Sequence, residues 1–254
     1  MNKGAVRRGW LWLLEILFPA RCPLCQASAT TPHALCETCH TRLPDMPELV
    51  CRRCGALTPR PQAECAACRG VHHAPEAFLC AFLFESSIRT LIHAFKYKDQ
   101  GELATLLGGL CWERLGRQLQ QEAPELVIPL PLHWRRLWWR RYNQAALLAG
   151  VLAGYLDKPL LTGGLRRHRH TRSQTSLDGR HRHENVRGAF TADPGQIRGR
   201  HVLLVDDVTT TGSTLAAATF ALKHAGARRV AVVCLAHAAS GLVDPDSTLG
   251  GDHA

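Results

Sequence analysis

Residues 201–215 combine an apolar segment, two adjacent acids and a loop of small hydroxylated residues. The segment 202–205 is a short apolar run typical of a strand buried on both faces of a parallel sheet. Asp206 and Asp207 follow it directly. A loop of threonines, one serine and one glycine comes next, and a helical pattern runs from there to about residue 225. The order is therefore strand, acid pair, loop, helix.

This order has a chemical logic that suits a phosphorylated sugar. Free N–H groups and the helix dipole favour an anion at the amino end of a helix, and Gly212 lets the backbone approach a phosphate closely. Acids would repel that phosphate, so Asp206 and Asp207 are expected to face ribose hydroxyls or a Mg²⁺ ion carried by a second phosphate. The alternative is an ordinary strand-to-helix turn capped by one Asp, but one cap requires neither two acids nor several threonines.

Cysteines in Cys-x-x-Cys pairs fill the region between residues 22 and 68. The four pairs are Cys22/Cys25, Cys36/Cys39, Cys51/Cys54 and Cys65/Cys68. Each pair places two thiolates on one tight turn, and two pairs complete a tetrahedral zinc site with sulfur about 2.3 Å from the metal. The sequence therefore predicts two zinc sites, and the pairing, sequential or interleaved, stays open. A disulfide framework is the weaker alternative, because the neighbouring phosphate chemistry indicates a reducing cytosol.

The remaining cysteines and the nearby histidines carry no predicted chemistry. Cys80, Cys111 and Cys234 lie among apolar residues and are expected to be buried, inert thiols. With eight thiolates available, the histidines near the pairs are expected at the surface; they are His33, His40, His72 and His73. A segment this short and polar cannot rely on core burial, so metal binding is expected to supply its folding free energy.

Two basic segments accompany these motifs. Residues 133–141 interleave Trp134, Trp138 and Trp139 with four arginines, a pattern suited to stacking bases while cations hold phosphates. The alternative is an exposed loop with snorkelling arginines. Residues 165–187 contain seven arginines without apolar periodicity, which predicts a mobile loop or ribbon. Such a loop suits closure over a pyrophosphate; a solvated charge run is the alternative.

The composition predicts an α/β protein with an anionic partner. The chain has 254 residues, a net charge of +10 and a pI near 9.3, which favours phosphates, nucleotides or nucleic acid as ligands. No apolar run reaches about 20 residues, so no membrane span is predicted. We expect an amphipathic helix over 1–21 rather than a secretion signal, a double zinc-ribbon module over 22–70, an α/β domain over 76–238 and a disordered tail over 239–254.

Apolar patterns outline the elements of the α/β domain. Buried runs predict strands at 78–84, 126–131, 202–205 and 228–236. Helical periodicity predicts helices at 87–97, 103–119, 143–155 and 215–225. Strands that alternate with helices predict a parallel sheet.

The acid pair and its loop closely resemble the phosphoribosyl pyrophosphate (PRPP) motif of type I phosphoribosyltransferases. The cysteine pairs, the sequences PLPLHWRR and RYNQA, and the spaced residues Arg167, Arg169 and Gln174 complete a wider pattern. Over residues 10 to about 238 the chain resembles the ComF/GntX family. One departure is visible, because Arg141 stands where that family usually has glycine.

The resemblance implies a type I phosphoribosyltransferase fold with a small amino-terminal zinc-ribbon module. It also implies that Asp206 and Asp207 are the catalytic acids, which hold the ribose hydroxyls or Mg²⁺ and stabilise positive charge at C1 as pyrophosphate leaves. The implied PRPP-binding residues are Val208, Thr209, Thr210, Thr211, Gly212, Ser213, Thr214, Arg135, Arg136, Arg167, Arg169 and Gln174. The 209–214 loop would take the 5-phosphate, and the arginines the pyrophosphate.

The resemblance further implies a role in natural competence or in the use of external DNA, on the cytosolic side. The implied cofactors are two zinc ions and Mg²⁺ with PRPP; the implied partners are PRPP, single-stranded DNA and proteins of the DNA-uptake machinery. Three interpretations stay open. The protein is a phosphoribosyltransferase of unknown acceptor, a non-catalytic single-stranded-DNA-handling protein whose site senses PRPP or a nucleotide, or a zinc-ribbon interaction protein.

Overall fold

The structure is a computed structural model of the chain. It describes residues 19–31, 33–47, 50–56, 58, 64–65, 68–69, 74–97, 100–132, 141–168 and 188–238. Within these ranges, no helix is long and apolar enough to cross a membrane. The helix predicted over 1–21 lies outside the described residues up to residue 18, and the tail predicted over 239–254 lies outside them entirely.

A four-stranded parallel sheet forms the centre of the protein. Its strands are β1 (Ala77–Leu83), β2 (Leu126–Pro129), β5 (His201–Thr209) and β6 (Arg229–His237), in the order β1-β6-β5-β2. The two middle strands are almost wholly buried, because helices cover both faces of the sheet, as parallel sheets require. The parallel α/β class predicted from the sequence is confirmed.

Helices cover the two faces unequally. The helices are α1 (Glu37–Thr41), α2 (Ser86–Tyr97), α3 (Leu103–Glu122), α4 (Gln144–Leu156), α5 (Pro194–Ile197) and α6 (Ser213–His224). On one face, α2, α3 and α4 bury a core that includes Leu107, Leu148 and Val205. On the other face, α6 packs Leu222 with Val202 of β5. Ligands of such sheets bind at the carboxyl ends of the strands.

The structure extends one sequence prediction and chooses between the alternatives of another. The strand predicted to end at Val205 continues as β5 to Thr209, so the acid pair lies within the strand; the reason is that β6 keeps pairing with it as far as His237. The basic segment that begins at residue 165 is predicted to be a mobile loop or ribbon, and its first residues form one strand of a two-stranded ribbon. This strand, β3 (Leu165–Arg167), pairs antiparallel with β4 (Phe190–Ala192), and residues 169–187 between them lie outside the described residues.

The cysteine-rich module packs along the edge of β1 that does not pair with β6. The Phe78 N–H donates to the Arg52 carbonyl at 2.7 Å, and Asp45 forms an antiparallel bridge with Phe82. Leu43 from the same module is 5% exposed and belongs to the core under α2, α3 and α4. The module thus supplies partners to an edge strand that would otherwise present free backbone groups.

Candidate functional site

The acid pair lies in the last part of β5, between the middle of the sheet and the loop that follows. Asp207 is 8% exposed and Asp206 is half-buried. The Asp207 N–H donates to Asp206 Oδ1 at 2.8 Å, and the Val208 N–H donates to Asp207 Oδ1 at 2.6 Å. The two carboxyl groups also interact with each other, through their charges and through a side-chain hydrogen bond, so they form one connected acid pair.

Lys96 reaches the acid pair from the end of α2. Its Nζ lies 3.0 Å from Asp207 Oδ2, and both side chains are less than 15% exposed (14% and 11%). Because both side chains are largely shielded from water, this ion pair keeps its geometry better than a pair on the surface does. The sequence predicts no role for Lys96, because no local pattern connects residue 96 with residue 207. The structure therefore adds one cation to the predicted acid pair.

The two acids differ in their electrostatic situation. Burial, together with the negative charge of Asp207, raises the pKa of Asp206 to about 8, although a backbone N–H and Lys96 act in the opposite direction. In the ligand-free protein, Asp206 therefore keeps its proton to a higher pH than an ordinary aspartate does. A cation or hydrogen-bond donors on a ligand would favour the charged form. This acid is poised to ionise when a suitable ligand binds.

The phosphate loop, defined as residues 209–214, connects β5 to α6. Gly212 occupies the N-cap position with φ +70°, in the left-handed region that favours glycine. No side chain among the described residues caps the first turn of α6, and the hydroxyls of Thr211 and Ser213 lie 3.0 Å apart. The free N–H groups of a twelve-residue helix and these hydroxyls form the kind of concentration of donors that binds a phosphate.

The eight paired cysteines gather into two groups of four. The first cluster is Cys22, Cys25, Cys36 and Cys39, and the second cluster is Cys51, Cys54, Cys65 and Cys68; within each, the sulfur atoms lie within 4.8 Å of one another. The Sγ atoms of Cys25 and Cys36 are 3.5 Å apart, and those of Cys54 and Cys65 are 3.7 Å apart. Tetrahedral zinc with Zn–S of about 2.3 Å places sulfurs about 3.8 Å apart. The clusters fit two zinc ions, and the pairing left open by the sequence is sequential.

The thiols of each cluster are tuned unequally. Burial opposes ionisation of Cys22 and Cys51, yet backbone N–H donors outweigh it and lower the pKa of Cys22 to about 6 and of Cys51 to about 7. In the first cluster, a hydrogen bond with Cys25 is the largest of the effects that raise the pKa of Cys39 to about 12. One thiol in each cluster therefore ionises readily, and its negative charge disfavours ionisation of the neighbouring thiols. A divalent cation would relieve this repulsion, as zinc does.

The RYNQA segment has a structural role at the start of α4. The Asn143 side chain donates to the Leu130 carbonyl at 3.0 Å and accepts from the Ala145 N–H at 3.1 Å. It therefore caps α4 and ties it to the end of β2. Arg141 has φ +61°, in the left-handed region that glycine adopts most readily. A residue with a side chain is strained in this conformation.

The structure brings together part of the predicted PRPP-binding set. Val208 and residues 209–214 follow Asp206 and Asp207 directly, in one stretch at the carboxyl edge. Arg167 lies on β3, with its guanidinium 5.5 Å from the centre of the Phe190 ring. The other four predicted residues, Arg135, Arg136, Arg169 and Gln174, lie outside the described residues, as do the three tryptophans of the 133–141 segment.

His237 is a second residue that sequence reasoning missed. It ends β6 beside Thr209 of the phosphate loop and is 3% exposed. Burial lowers the pKa of its imidazole, so the ring is neutral. Neither ring nitrogen has a hydrogen-bond partner within the described part of the chain. A single histidine after an apolar run gives no pattern from which this position could be predicted.

These features define a protein class: a double zinc ribbon joined to a phosphoribosyltransferase-type parallel sheet. Two family models agree with this division. The model described as "Phosphoribosyl transferase domain" matches residues 143–249, and the model described as "Double zinc ribbon domain" matches residues 13–71.

The chain belongs to the ComF/GntX family. It is 31% identical over 227 residues to Competence protein F of Haemophilus influenzae, covering 87% of this chain and 98% of that protein. It is 29% identical over 221 residues to DNA utilization protein YhgH of Escherichia coli K12, covering 85% and 96%. A solved structure, the purine phosphoribosyltransferase from Pyrococcus horikoshii, matches 56% of this chain and 80% of its own at 22% identity, with a TM-score of 0.35.

Proposed function

We propose that the protein binds PRPP with Mg²⁺ at the carboxyl edge of its sheet. The observation that carries the proposal is one continuous stretch in which Asp206 and Asp207 end β5 and the phosphate loop begins α6. Its glycine is left-handed at the helix N-cap, where backbone N–H groups face outward. A sugar phosphate needs donors for the phosphate and acceptors for its hydroxyls, and this stretch supplies both within a few residues.

In this proposal each residue has a distinct task. The phosphate loop holds the 5-phosphate, and Asp206 accepts hydrogen bonds from ribose hydroxyls or binds the Mg²⁺ that accompanies pyrophosphate. Asp207 orients Lys96, whose ammonium lies 3.0 Å away. Arg135, Arg136, Arg167, Arg169 and Gln174 are proposed contacts of the pyrophosphate. Held in place by Asp207, the Lys96 ammonium would then offset negative charge on the ligand.

The transfer reaction would displace pyrophosphate from C1 of the ribose. The C1–O bond breaks with its electron pair going to pyrophosphate, and an acceptor forms the new bond to C1 and releases a proton. Positive charge that develops on the ribose during this step is stabilised by nearby carboxylates. The acceptor is the unidentified reactant of this proposal.

We further propose that the protein acts in natural competence or in the use of external DNA, on the cytosolic side. Support comes from the names of its relatives, Competence protein F and DNA utilization protein YhgH. A net charge of +10 favours polyanionic partners. The proposed partners are PRPP, single-stranded DNA and proteins of the DNA-uptake machinery.

The acid pair provides the main test. Asp206→Asn and Asp207→Asn should each weaken Mg²⁺-dependent PRPP binding measured by calorimetry. Their effects on stability should differ, because Asp207→Asn leaves the enclosed Lys96 ammonium without its counterion and costs about 3 kcal/mol, whereas Asp206→Asn removes a carboxyl group that burial disfavours. Unchanged PRPP binding in both variants would move the site elsewhere.

The pH dependence of PRPP binding gives a second test of the same residue. Because the pKa of Asp206 is raised to about 8, a ligand that needs its carboxylate should bind more tightly as pH rises from 7 towards 9. Ligand phosphates with a second pKa of about 6 are already ionised there. Asp206→Asn should flatten this dependence. A parent protein whose affinity is constant over this interval would contradict the role given to Asp206.

A second candidate function is single-stranded-DNA handling, in which the PRPP site senses a ligand rather than catalysing transfer. Three exposed arginines in the zinc module favour it: Arg42, Arg52 and Arg69. DNA affinity should fall steeply with salt because phosphate contacts release counterions, and replacing Trp134, Trp138 or Trp139 should cost roughly 1–3 kcal/mol per stacked base. A flat salt titration would leave these arginines without a DNA role.

Three measurements separate the open interpretations. Release of pyrophosphate from PRPP, screened with acceptors from free bases to single-stranded DNA, distinguishes a transferase from a sensor. Calorimetric PRPP binding distinguishes a sensor from a zinc-ribbon interaction protein. The salt dependence of DNA binding then shows whether DNA is a direct ligand.

A further inference from the structure

The second cysteine cluster lies directly against the phosphate loop. A Cβ added to Gly212 would come 3.3 Å from the Cys54 carbonyl oxygen and 3.8 Å from the Cys54 Cβ. Cys54 is thus both a member of the second cluster and the neighbour of the loop's glycine. The first cluster has a different neighbour, since His40 and Asp45 beside it contact Glu113 and Arg114 of α3.

The turn that contains Cys54 is fixed from two sides. We call residues 51–55, which contain the Cys51/Cys54 pair of the second cluster, the second knuckle. The Gly55 N–H donates to the Cys51 carbonyl at 2.8 Å within the turn. Outside it, the Phe78 N–H donates to the Arg52 carbonyl at 2.7 Å, and the Arg53 guanidinium donates to two carbonyls of the segment before β1. A turn held in this way presents its Cys54 carbonyl to the phosphate loop at a fixed position.

We propose that the second knuckle is a positioning element of the phosphate site. It packs on Gly212 and holds it in the left-handed conformation from which the first turn of α6 faces the ligand. The proposal deepens, and rests on, the proposed binding of PRPP. Because a coupling between two sites is reciprocal, a closed second cluster that favours an ordered phosphate loop is in turn protected by that ordered loop. The first cluster takes no part in this coupling.

The first experiment needs no ligand. Gly212→Ala and Gly199→Ala are compared with the parent as zinc-loaded, full-length proteins. Both glycines have positive φ, +70° and +74°, but a Cβ on Gly199 has no neighbour within 4 Å in the described part of the chain. The two variants therefore share the backbone strain and differ in contact with the knuckle. The readout is the rate at which iodoacetamide alkylates each cysteine, resolved by mass spectrometry.

Gly212→Ala should accelerate alkylation of the second cluster several-fold relative to both the parent and Gly199→Ala. Alkylation of the first cluster should be unchanged. Equal rates for the second cluster in the two variants, or equal acceleration of both clusters, would overturn the proposal. Because all four cysteines of each cluster are read separately, general unfolding appears as a change in both clusters and is recognised as such.

The second experiment adds ligand to the parent protein. PRPP with Mg²⁺, and ribose 5-phosphate as a probe that lacks pyrophosphate, should each slow alkylation of the second cluster several-fold and leave the first cluster unaffected. Calorimetric binding of PRPP without such protection would overturn the positioning role and leave the proposed function intact. Absence of PRPP binding would instead contradict the proposed function, and the Gly212→Ala comparison would then decide alone whether the knuckle positions the loop.

Discussion

The two cysteine clusters are built on the same turn and placed in different surroundings. In both, the residue after the second cysteine of the first pair has a left-handed backbone, with φ +63° at Gln26 and +76° at Gly55. In both, its N–H donates to the carbonyl of the first cysteine, Cys22 at 2.9 Å and Cys51 at 2.8 Å. The turn itself therefore tolerates a side chain. Glycine is required only in the second, where a Cβ would lie 2.1 Å from the Phe78 ring.

The surroundings explain this difference. Beside the first cluster, two exposed contacts join the module to α3: a hydrogen bond between His40 and Glu113 at 2.9 Å, and an ion pair between Asp45 and Arg114. Around the second cluster, backbone hydrogen bonds and contacts with residues of β1 hold the turn close to that strand. Surface ion pairs contribute little to stability, whereas close packing does not tolerate added atoms. The first cluster therefore combines these exposed contacts with partly buried packing of Leu24 and Leu35 against the core, whereas the second cluster is packed closely against β1 and the phosphate loop.

The largest expected effect comes from a side chain added at the second turn. Gly55→Ala should lower the free energy of unfolding by roughly 2–5 kcal/mol, because a left-handed alanine is strained and its Cβ overlaps the Phe78 ring. Urea unfolding followed by tryptophan fluorescence measures the loss. The matched control is Gln26→Ala, which keeps a Cβ on the same left-handed turn and should change stability by less than about 0.5 kcal/mol. Similar losses in both variants would remove the distinction between the clusters.

We expect zinc removal to distinguish the two clusters as well, with a smaller effect than the Gly55→Ala substitution. The first cluster has one buried cysteine, Cys22, and one exposed cysteine, Cys25, whereas the second has two buried cysteines, Cys51 and Cys68, and no exposed one. A chelator such as EDTA should therefore empty the first cluster before the second and produce two phases of zinc loss. Alkylation of the freed cysteines, followed by mass spectrometry, assigns each phase to a cluster. Simultaneous loss, or loss from the second cluster first, would contradict the packing difference.

The smallest effect is expected at the anchor of the first cluster. Arg114 contacts Asp45, and its guanidinium lies 5.4 Å from the centre of the Phe82 ring. Arg114→Ala should cost only about 0.5–1 kcal/mol, because the two charged side chains are 38% and 73% exposed. Arg117→Ala, at an exposed position one turn further along α3, controls for helix propensity. A loss of several kcal/mol in Arg114→Ala but not in Arg117→Ala would show that the Arg114 contact is closely packed.

The contrast between the clusters also shows what could not be predicted from the sequence. The Cys-x-x-Cys spacing predicts zinc ligands, but equal gaps within each half allow either pairing, and only the positions of the sulfurs decide for the sequential one. Gly55 and Gln26 occupy equivalent places in the sequence pattern. The requirement for glycine at the first of them comes from Phe78, which is distant in the chain.

The candidate site repeats this lesson. The order of acids, hydroxyl loop and glycine is local, so it is visible in the sequence. The continuation of β5 through Asp206 to Thr209 is not, since aspartates are poor strand formers and pairing with β6 overrides that tendency. Lys96 and Cys54 reach the site from other elements by tertiary contacts. Their roles required the three-dimensional arrangement of α2 and the second knuckle.

The position of the zinc module at the edge of β1 has a consequence for protein synthesis. The inner partner of β1 is β6, the last strand of the sheet to leave the ribosome, so β1 emerges long before it can complete its pairing. The cysteine-rich module is made first and already offers the Arg52 carbonyl and the Asp45 bridge to the outer edge of β1. Strands that wait unpaired are prone to aggregation, and a module that takes up zinc while the chain is still growing would shield this one until β6 arrives.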